Sequence, residues 1–362
     1  MRTNSIESMR ELLRVSSAAQ LLLEKSKILA LSPRVRELFP EAKEGAKAET
    51  VFGEAASFLQ DFSGGTMAFS FRTLTGRCNA ALTAWRGGIL ATLTPEEDAM
   101  GRETMLAAAE RIRQFLETAI AMSEKLLPQL EESPRNLEQA AAFNQSLYSI
   151  LRLSWNLEQA ARAGEAPLER GTVELGTFLE NLTQQLQPMC AMTGRTLHFT
   201  SSGERFVCEM DRERLELVLL NLMSNSIKFS DPDSTITLTL RKSGQYACVT
   251  LRDQGKGIPA DEIGHVFSRG EHRGQIPNPT WGTGMGMIAA KRILEAYNGK
   301  IMLESKEQVG TAVHVFLPLY RGTILPIRDQ VKLPESSGGI NRKLVALADV
   351  LPAEAFDPRG IN

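Results

Sequence analysis

NLMSNSIKFS (221–230) is the stretch whose reading decides the fold. It closes DRERLELVLLNLMSNSIKFS (211–230), where apolar residues recur at helical spacing behind Asp211, a good N-cap. Asn221, Asn225 and Lys228 fall at i, i+4 and i+7 and so share one helical face. Asparagine is a poor helix former and expensive to bury. The stripe therefore faces either solvent or a ligand. For the second case the chemistry is specific: an Asn carbonyl suits a hard Mg²⁺ ion, and a Lys ammonium suits phosphate oxygens.

Two glycine motifs lie downstream. DQGKGI (253–258) ends the strand pattern YACVTLRDQG. The Asp253 carboxylate can accept from the exocyclic amine of adenine, while Gly255 and Gly257 permit sharp turns and close approach of a flat ring. A strand-ending turn explains the same residues. GTGMGM (282–287) stands directly before the helical pattern MGMIAAKRILEAYNG, which is expected to end on Gly299 as its C-terminal cap. Glycines at a helix start expose N–H groups to phosphate, and close helix packing is the plainer alternative. No GKS or GKT follows, so this is not a P-loop. The preceding GEHRGQIPNPTW is a loop and not a strand, which argues against a dinucleotide fingerprint.

In order, these motifs are more specific than any one of them. The Asn stripe, DxGxG after a strand, HVFSRG (265–270) with Phe267, GTGMGM, and Gly310-Thr311 before a last strand resemble the ATP-binding domain of sensor histidine kinases. That domain belongs to the GHKL group (the Bergerat fold) shared with DNA gyrase, a heat-shock chaperone and mismatch-repair ATPases. The likeness covers nearly all of 172–320. It implies an α/β sandwich that binds ATP and Mg²⁺. Asn225 would be the metal ligand, Asn221 and Lys228 would face phosphates, and Asp253 would read adenine. Gly255, Gly257, Thr283 and Thr311 complete the implied ATP-binding set. Gly282, Gly284 and Gly286 would anchor a lid running from Ser268 to Trp281.

The rest of the chain is expected to complete an α+β multidomain protein. Residues 96–165 carry two long amphipathic helical patterns. Ala108, Ile112, Phe115, Ala119, Met122 and Leu126 line the first; Leu137, Ala141, Leu147, Ile150, Leu151 and Leu157 line the second. One hairpin cannot cover its own apolar stripe, so a second copy completing a four-helix bundle is expected. This hairpin, and GEAPLERGTVELGTFLENL (164–182) after it, resemble the family's dimerisation helices and connector. In residues 1–95, RELLRVSSAAQLLLEKS (10–26) has helical spacing and GTMAFSFRTL alternates as a strand. LALSPRVRELF (29–39) and the strands that follow resemble a PAS sensor domain. Residues 321–362 read as a flexible link and a short helix near INRKLVALADVL.

With 41 Lys+Arg against 43 Asp+Glu, the net charge of −2 offers no basic surface for nucleic acid. No apolar run reaches the ~18 residues that span a bilayer, and the start lacks a signal-peptide core, so a cytoplasmic protein is expected. Cys78, Cys190, Cys208 and Cys248 form no CxxC pair and read as reduced, buried thiols.

Two absences shape the functional expectation. ATP-hydrolysing relatives carry a Glu four residues before the metal-binding Asn; here that residue is Asn221, and an amide cannot take a proton at neutral pH. ATP should be held with little hydrolysis. The phosphoacceptor His of the family should lie early in the first hairpin helix. Aligning MGRETML (100–106) puts Met100 there, and residues 1–197 contain no His. The expected function is thus phosphoryl transfer in a two-component system, with a response regulator or a His-containing partner kinase as partner. The alternative is a non-catalytic, nucleotide-gated dimeric interaction module. A serine or threonine kinase fits less well, because such relatives keep the Glu.

Overall fold

The computed structural model describes residues 2–62, 64–73, 76–85, 88–95, 102–126, 134–162, 171–267, 285–322, 336–337 and 340–357. The chain forms two compact units. One gathers residues 1–98, 256–275 and 301–312; the other gathers 99–255, 276–300 and 313–362.

In the first unit, α1 (Arg2–Val15) precedes β1 (Ala19–Glu24), β2 (Lys27–Leu31), α2 (Pro33–Leu38), α3 (Glu49–Phe52), α4 (Phe58–Asp61), β3 (Thr66–Thr73), β4 (Gly76–Trp85) and β5 (Gly88–Pro95). The sheet order is β2-β1-β5-β4-β3, and β3 pairs in turn with β11 (Lys300–Lys306). Period-2 alternation places Met67, Phe69 and Phe71 on one face, where Phe39 stacks on Phe71 and Phe52 and Phe58 pack at steeper angles against the same two strand phenylalanines. Leu22 and Leu90 point the other way, and α1 covers them with Leu13.

The helix expected over 10–26 is corrected: it stops at Val15, and 19–24 is a strand. The Ser16 hydroxyl accepts the Ala18 N–H, offering the backbone a partner outside the helix. Leu21, Leu22 and Leu23 are all buried, because β1 is a central strand between β2 and β5 with both faces covered.

In the second unit, α5 (Arg102–Leu126) and α6 (Pro134–Arg162) form an antiparallel hairpin. The Ser154 hydroxyl donates to the Ala109 carbonyl at 2.6 Å, and Ser123 donates to Asn144 Oδ1 at 2.7 Å. Ala109, Leu116, Ile120, Leu147 and Leu151 face inward. The stripe anticipated on α6 faces inward through Ala141, Leu147 and Leu151, whereas that anticipated on α5 lies on the other side: Phe115 is 72% exposed, Met122 59% and Ile112 43%. Then follow β6 (Thr172–Glu174), α7 (Leu175–Met192), β7 (Thr196–Ser201), β8 (Val207–Glu209), α8 (Arg212–Phe229), β9 (Thr235–Ser243), β10 (Tyr246–Arg252), α9 (Met285–Ala296) and β12 (Gly310–Pro318). The strands run β12-β10-β9-β7, with β7 and β9 parallel and β9 and β10 antiparallel. Ile236, Leu238 and Leu240 are buried while Thr235, Thr237 and Thr239 are half-buried. Leu182 and Leu186 of α7 meet Leu219 and Met223 of α8 over Leu197, Leu238 and Leu251.

Asp211 caps α8 by accepting the Glu213 and Arg214 N–H groups. At the end of α9 the left-handed residue is Asn298 (φ +58°), not Gly299. Gly299 is needed for space: a Cβ there would lie 3.0 Å from the Phe316 carbonyl. The chain closes with β13 (Ser336–Ser337), β14 (Ile340–Asn341), α10 (Arg342–Leu347) and a 3₁₀ turn (Ala353–Phe356). Among the described residues no helix is long and apolar enough to cross a membrane. None of the four cysteines is in a disulfide, and all four are buried. Burial pushes the Cys190 thiol up to about 11 and the Cys208 thiol up to about 12.

Glu174 caps α7, accepting the Gly176 and Thr177 N–H groups. Burial raises its pKa, but the hydrogen bonds from Thr177 and Gly176 outweigh burial, and the carboxyl sits below its ordinary 4.5. A depressed carboxyl contributes stability above its unfolded pKa and loses it as pH falls through the folded value. Glu174→Gln is therefore expected to flatten the acid limb of the stability–pH curve below pH 4.5, read by urea unfolding at stepped pH. An unchanged acid limb counts against the cap.

Candidate functional site

Helix α8 carries the Asn stripe, and its two ends differ. Asn221 is buried to 1% exposure, whereas Asn225 and Lys228 are half-buried. Among the described residues neither Asn221 Nδ2 nor Oδ1 has a hydrogen-bond partner, and the Ser224 hydroxyl has none. Each orphaned buried polar atom costs about 1–3 kcal/mol. Gly286, in the first turn of α9, lies directly over this amide: a Cβ on it would sit 3.0 Å from Asn221 Oδ1.

The next turn of α8 holds the first glycine motif. The Ser226 hydroxyl donates to Asp253 Oδ2 at 3.3 Å, and the Gly255 N–H donates to Asp253 Oδ1 at 3.0 Å. Asp253 is 7% exposed and so held at both oxygens. Gly255 pairs as a bridge with Ser230, and a Cβ on it would lie 2.2 Å from the Phe229 carbonyl. No other residue type fits so near a backbone oxygen. Asp253 and Gly255, which follow β10, and Gly286, of α9, thus all pack against the helix that carries Asn221.

The other candidates in the described residues lie in the first unit. Gly257 has φ +68°, and a Cβ there would meet the Lys306 carbonyl at 2.3 Å. The Ser305 hydroxyl accepts the Ile258 N–H at 2.8 Å and lies 3.0 Å from Thr311 Oγ1, so one side chain joins the second half of DQGKGI to Thr311. The Ser305 carbonyl accepts from the Thr66 hydroxyl at 3.0 Å, tying β11 to the N-terminal sheet. Ser226 and Ser305 were not singled out by motif. Ser226 adjoins Asn225 and could have been marked as a further polar residue in a buried helix. Ser305 sits in KIMLESK, which reads only as a strand. Gly282, Thr283 and Gly284, the expected lid from Ser268 to Trp281, and Met100 lie outside the described residues. His314, in β12, is buried with Nδ1 2.9 Å from the Thr250 hydroxyl.

This arrangement defines a class. Residues 210–321 match the histidine kinase-, DNA gyrase B- and HSP90-like ATPase family. The adaptive-response sensory kinase SasA of Prochlorococcus marinus (strain MIT 9215) is 25% identical over 238 residues, covering 64% of this chain and 62% of that protein. The sensor histidine kinase YvrG of Bacillus subtilis (strain 168) is 24% identical over 187 residues, 52% of this chain and 32% of its own length. The chain thus spans less than two thirds of these curated relatives. The crystal structure of full-length ShkA in complex with AMPPNP shares the fold, with TM-score 0.51 and 20% identity over 62% of this chain and 47% of that one. Residues 210–321 are therefore an ATPase domain of the histidine kinase-, DNA gyrase B- and HSP90-like family, similar to that of sensor histidine kinases.

The two tight glycines separate packing from function. Gly255→Ala must displace backbone and is expected to lower stability by about 1–3 kcal/mol or more. Gly286→Ala meets only a side-chain end and is expected to fold within about 1 kcal/mol of wild type. Thermal unfolding of both variants checks this; equal losses contradict the geometry.

Proposed function

We propose that this chain is a histidine-kinase-like signalling protein that binds Mg-ATP and passes phosphoryl groups within a two-component system to an acceptor outside its own hairpin. The reading is carried by one observation: Asn221, Asp253, Gly255 and Gly286, from three motifs far apart in sequence, converge on α8, with the Asn221 amide buried beneath Gly286. The residues fit a nucleotide. Asp253, held by Ser226 and Gly255, can receive an exocyclic amine, and the half-buried Asn225 and Lys228 are the part of the stripe that would meet a metal ion and phosphate. Mg-ATP, when bound, supplies the transferable phosphoryl group. The protein holds and orients it. Asn221 has no basic atom for activating water, which favours retention over hydrolysis.

The absence of His from residues 1–197 supports an acceptor on a partner: a response regulator or a His-bearing kinase in a mixed dimer. The same absence favours a second reading, in which bound nucleotide only switches a docking surface and no phosphate moves. The exposed Ile112, Phe115 and Met122 of α5 support homodimerisation through residues 96–165, with a PAS-like N-terminal domain as input and the cytoplasm as location.

Calorimetric titration with Mg-ATP tests the site. Wild type is expected to bind, and Asn225→Ala to weaken binding tenfold or more, about 1.4 kcal/mol. Equal affinities overturn the assignment. Labelling from γ-labelled ATP should leave the chain's own hairpin unlabelled and mark an added partner; no label on any partner favours the second reading. Phe115→Glu is expected to convert a dimer to a monomer in light scattering, and a wild-type monomer contradicts the bundle.

A further inference from the structure

The C-terminal segment occupies a built site. Asn341 caps α10 by accepting the Lys343 and Leu344 N–H groups. Arg342 pairs with Glu213 at 2.8 Å and Lys343 with Glu216 at 3.7 Å, both carboxylates on α8. Leu344, Val345, Leu347, Leu351 and Phe356 are at most 7% exposed.

The other wall is α6, which meets this segment with a run of polar side chains on one face. Asn144 Nδ2 donates to the Phe356 carbonyl at 3.2 Å. Gln145 Nε2 donates to the carbonyls of Ala348, the C-cap of α10, and Leu351, in the turn that follows, at 3.0 and 2.8 Å. The Tyr148 ring packs on Phe356 with centroids 5.4 Å apart, and Arg152 forms an ion pair with Asp349. These are sequence-distant, directional contacts, not a surface smear. Removing the segment would leave Asn144, Gln145 and a fully buried Tyr148 facing water or each other.

Helix α6 also packs against α9, the helix that starts at the GTGMGM motif. The segment therefore bridges the hairpin to α8 on one flank while α6 covers α9 on the other. These contacts tie the helices of the ATPase domain to the hairpin, whereas transfer to an acceptor needs the reacting atoms aligned and close.

We propose that residues 340–357 are a detachable clamp: a peptide carried in cis whose site is the α6–α8 groove, and whose release frees the ATPase domain from its own hairpin. What the freed domain then does rests on the reading above; the clamp itself does not, and its test uses no nucleotide.

A site-specific protease sequence inserted within residues 325–334 lets the segment be cut from the otherwise unaltered full chain. After cutting, the C-terminal fragment is expected to co-elute with the body in size exclusion. Arg152→Glu should release it at least tenfold faster, and Arg152→Glu/Asp349→Arg should restore retention. Because the cut wild type carries no substitution in α6 or in 340–357, the second readout stands if Arg152→Glu misfolds. Once the fragment is diluted away, hydrogen exchange in 141–153 and 285–296 should rise about tenfold or more. A fragment lost at once on cutting overturns the site. A fragment that stays but whose removal leaves exchange in 285–296 unchanged overturns the clamp.

Discussion

Helix α8 has to satisfy two demands with one set of side chains. As a core helix it buries Leu215, Val218, Leu219, Leu222, Met223 and Ile227. As the carrier of the Asn stripe it also buries Asn221, Ser224 and Ser226. The apolar burial, about 1.5–3 kcal/mol per large side chain, is what lets the helix carry buried polar groups at all. Ser226 meets that demand locally, through Asp253. Asn221 does not, and a buried amide with no protein partner among the described residues is the kind of local cost a functional site retains.

The glycines follow from the same constraint. Gly255 and Gly286 both border α8, one against backbone and one against the Asn221 side chain. Once the helix position is fixed by its leucines, the turn after β10 and the first turn of α9 must come within contact of it. Only a residue without Cβ permits that at Gly255. Packing alone accounts for these two glycines, which is why each motif by itself carries little information about a ligand.

The two units divide the ATPase family segment between them. Lys256–Gln275 and Ile301–Ala312 cluster with the N-terminal sheet, through β3–β11 pairing and the Thr66–Ser305 bond. The N-terminal strands thus touch the stretch carrying Gly257 and Thr311 by a route that does not pass through the helical hairpin. The hairpin in turn belongs with α8, α9 and the C-terminal segment.

Local patterns in the sequence determined much of this: Asp211 as a cap, the threonine–aliphatic alternation of β9, the two hairpin helices, and the order of motifs marking an ATPase domain. These depend on interactions a few residues apart, which spacing records directly. The helix read over 10–26 failed because three consecutive leucines serve a two-faced central strand, and only sheet pairing shows that both faces are covered. Tertiary structure alone also decided that Ser226 and Ser305 are the connecting hydroxyls, and that residues 340–357 close a groove about two hundred positions away from Asn144 and Gln145. A serine in a helix or strand looks the same in any register. Its partner is chosen by packing that brings distant segments together, and no spacing along the chain encodes that.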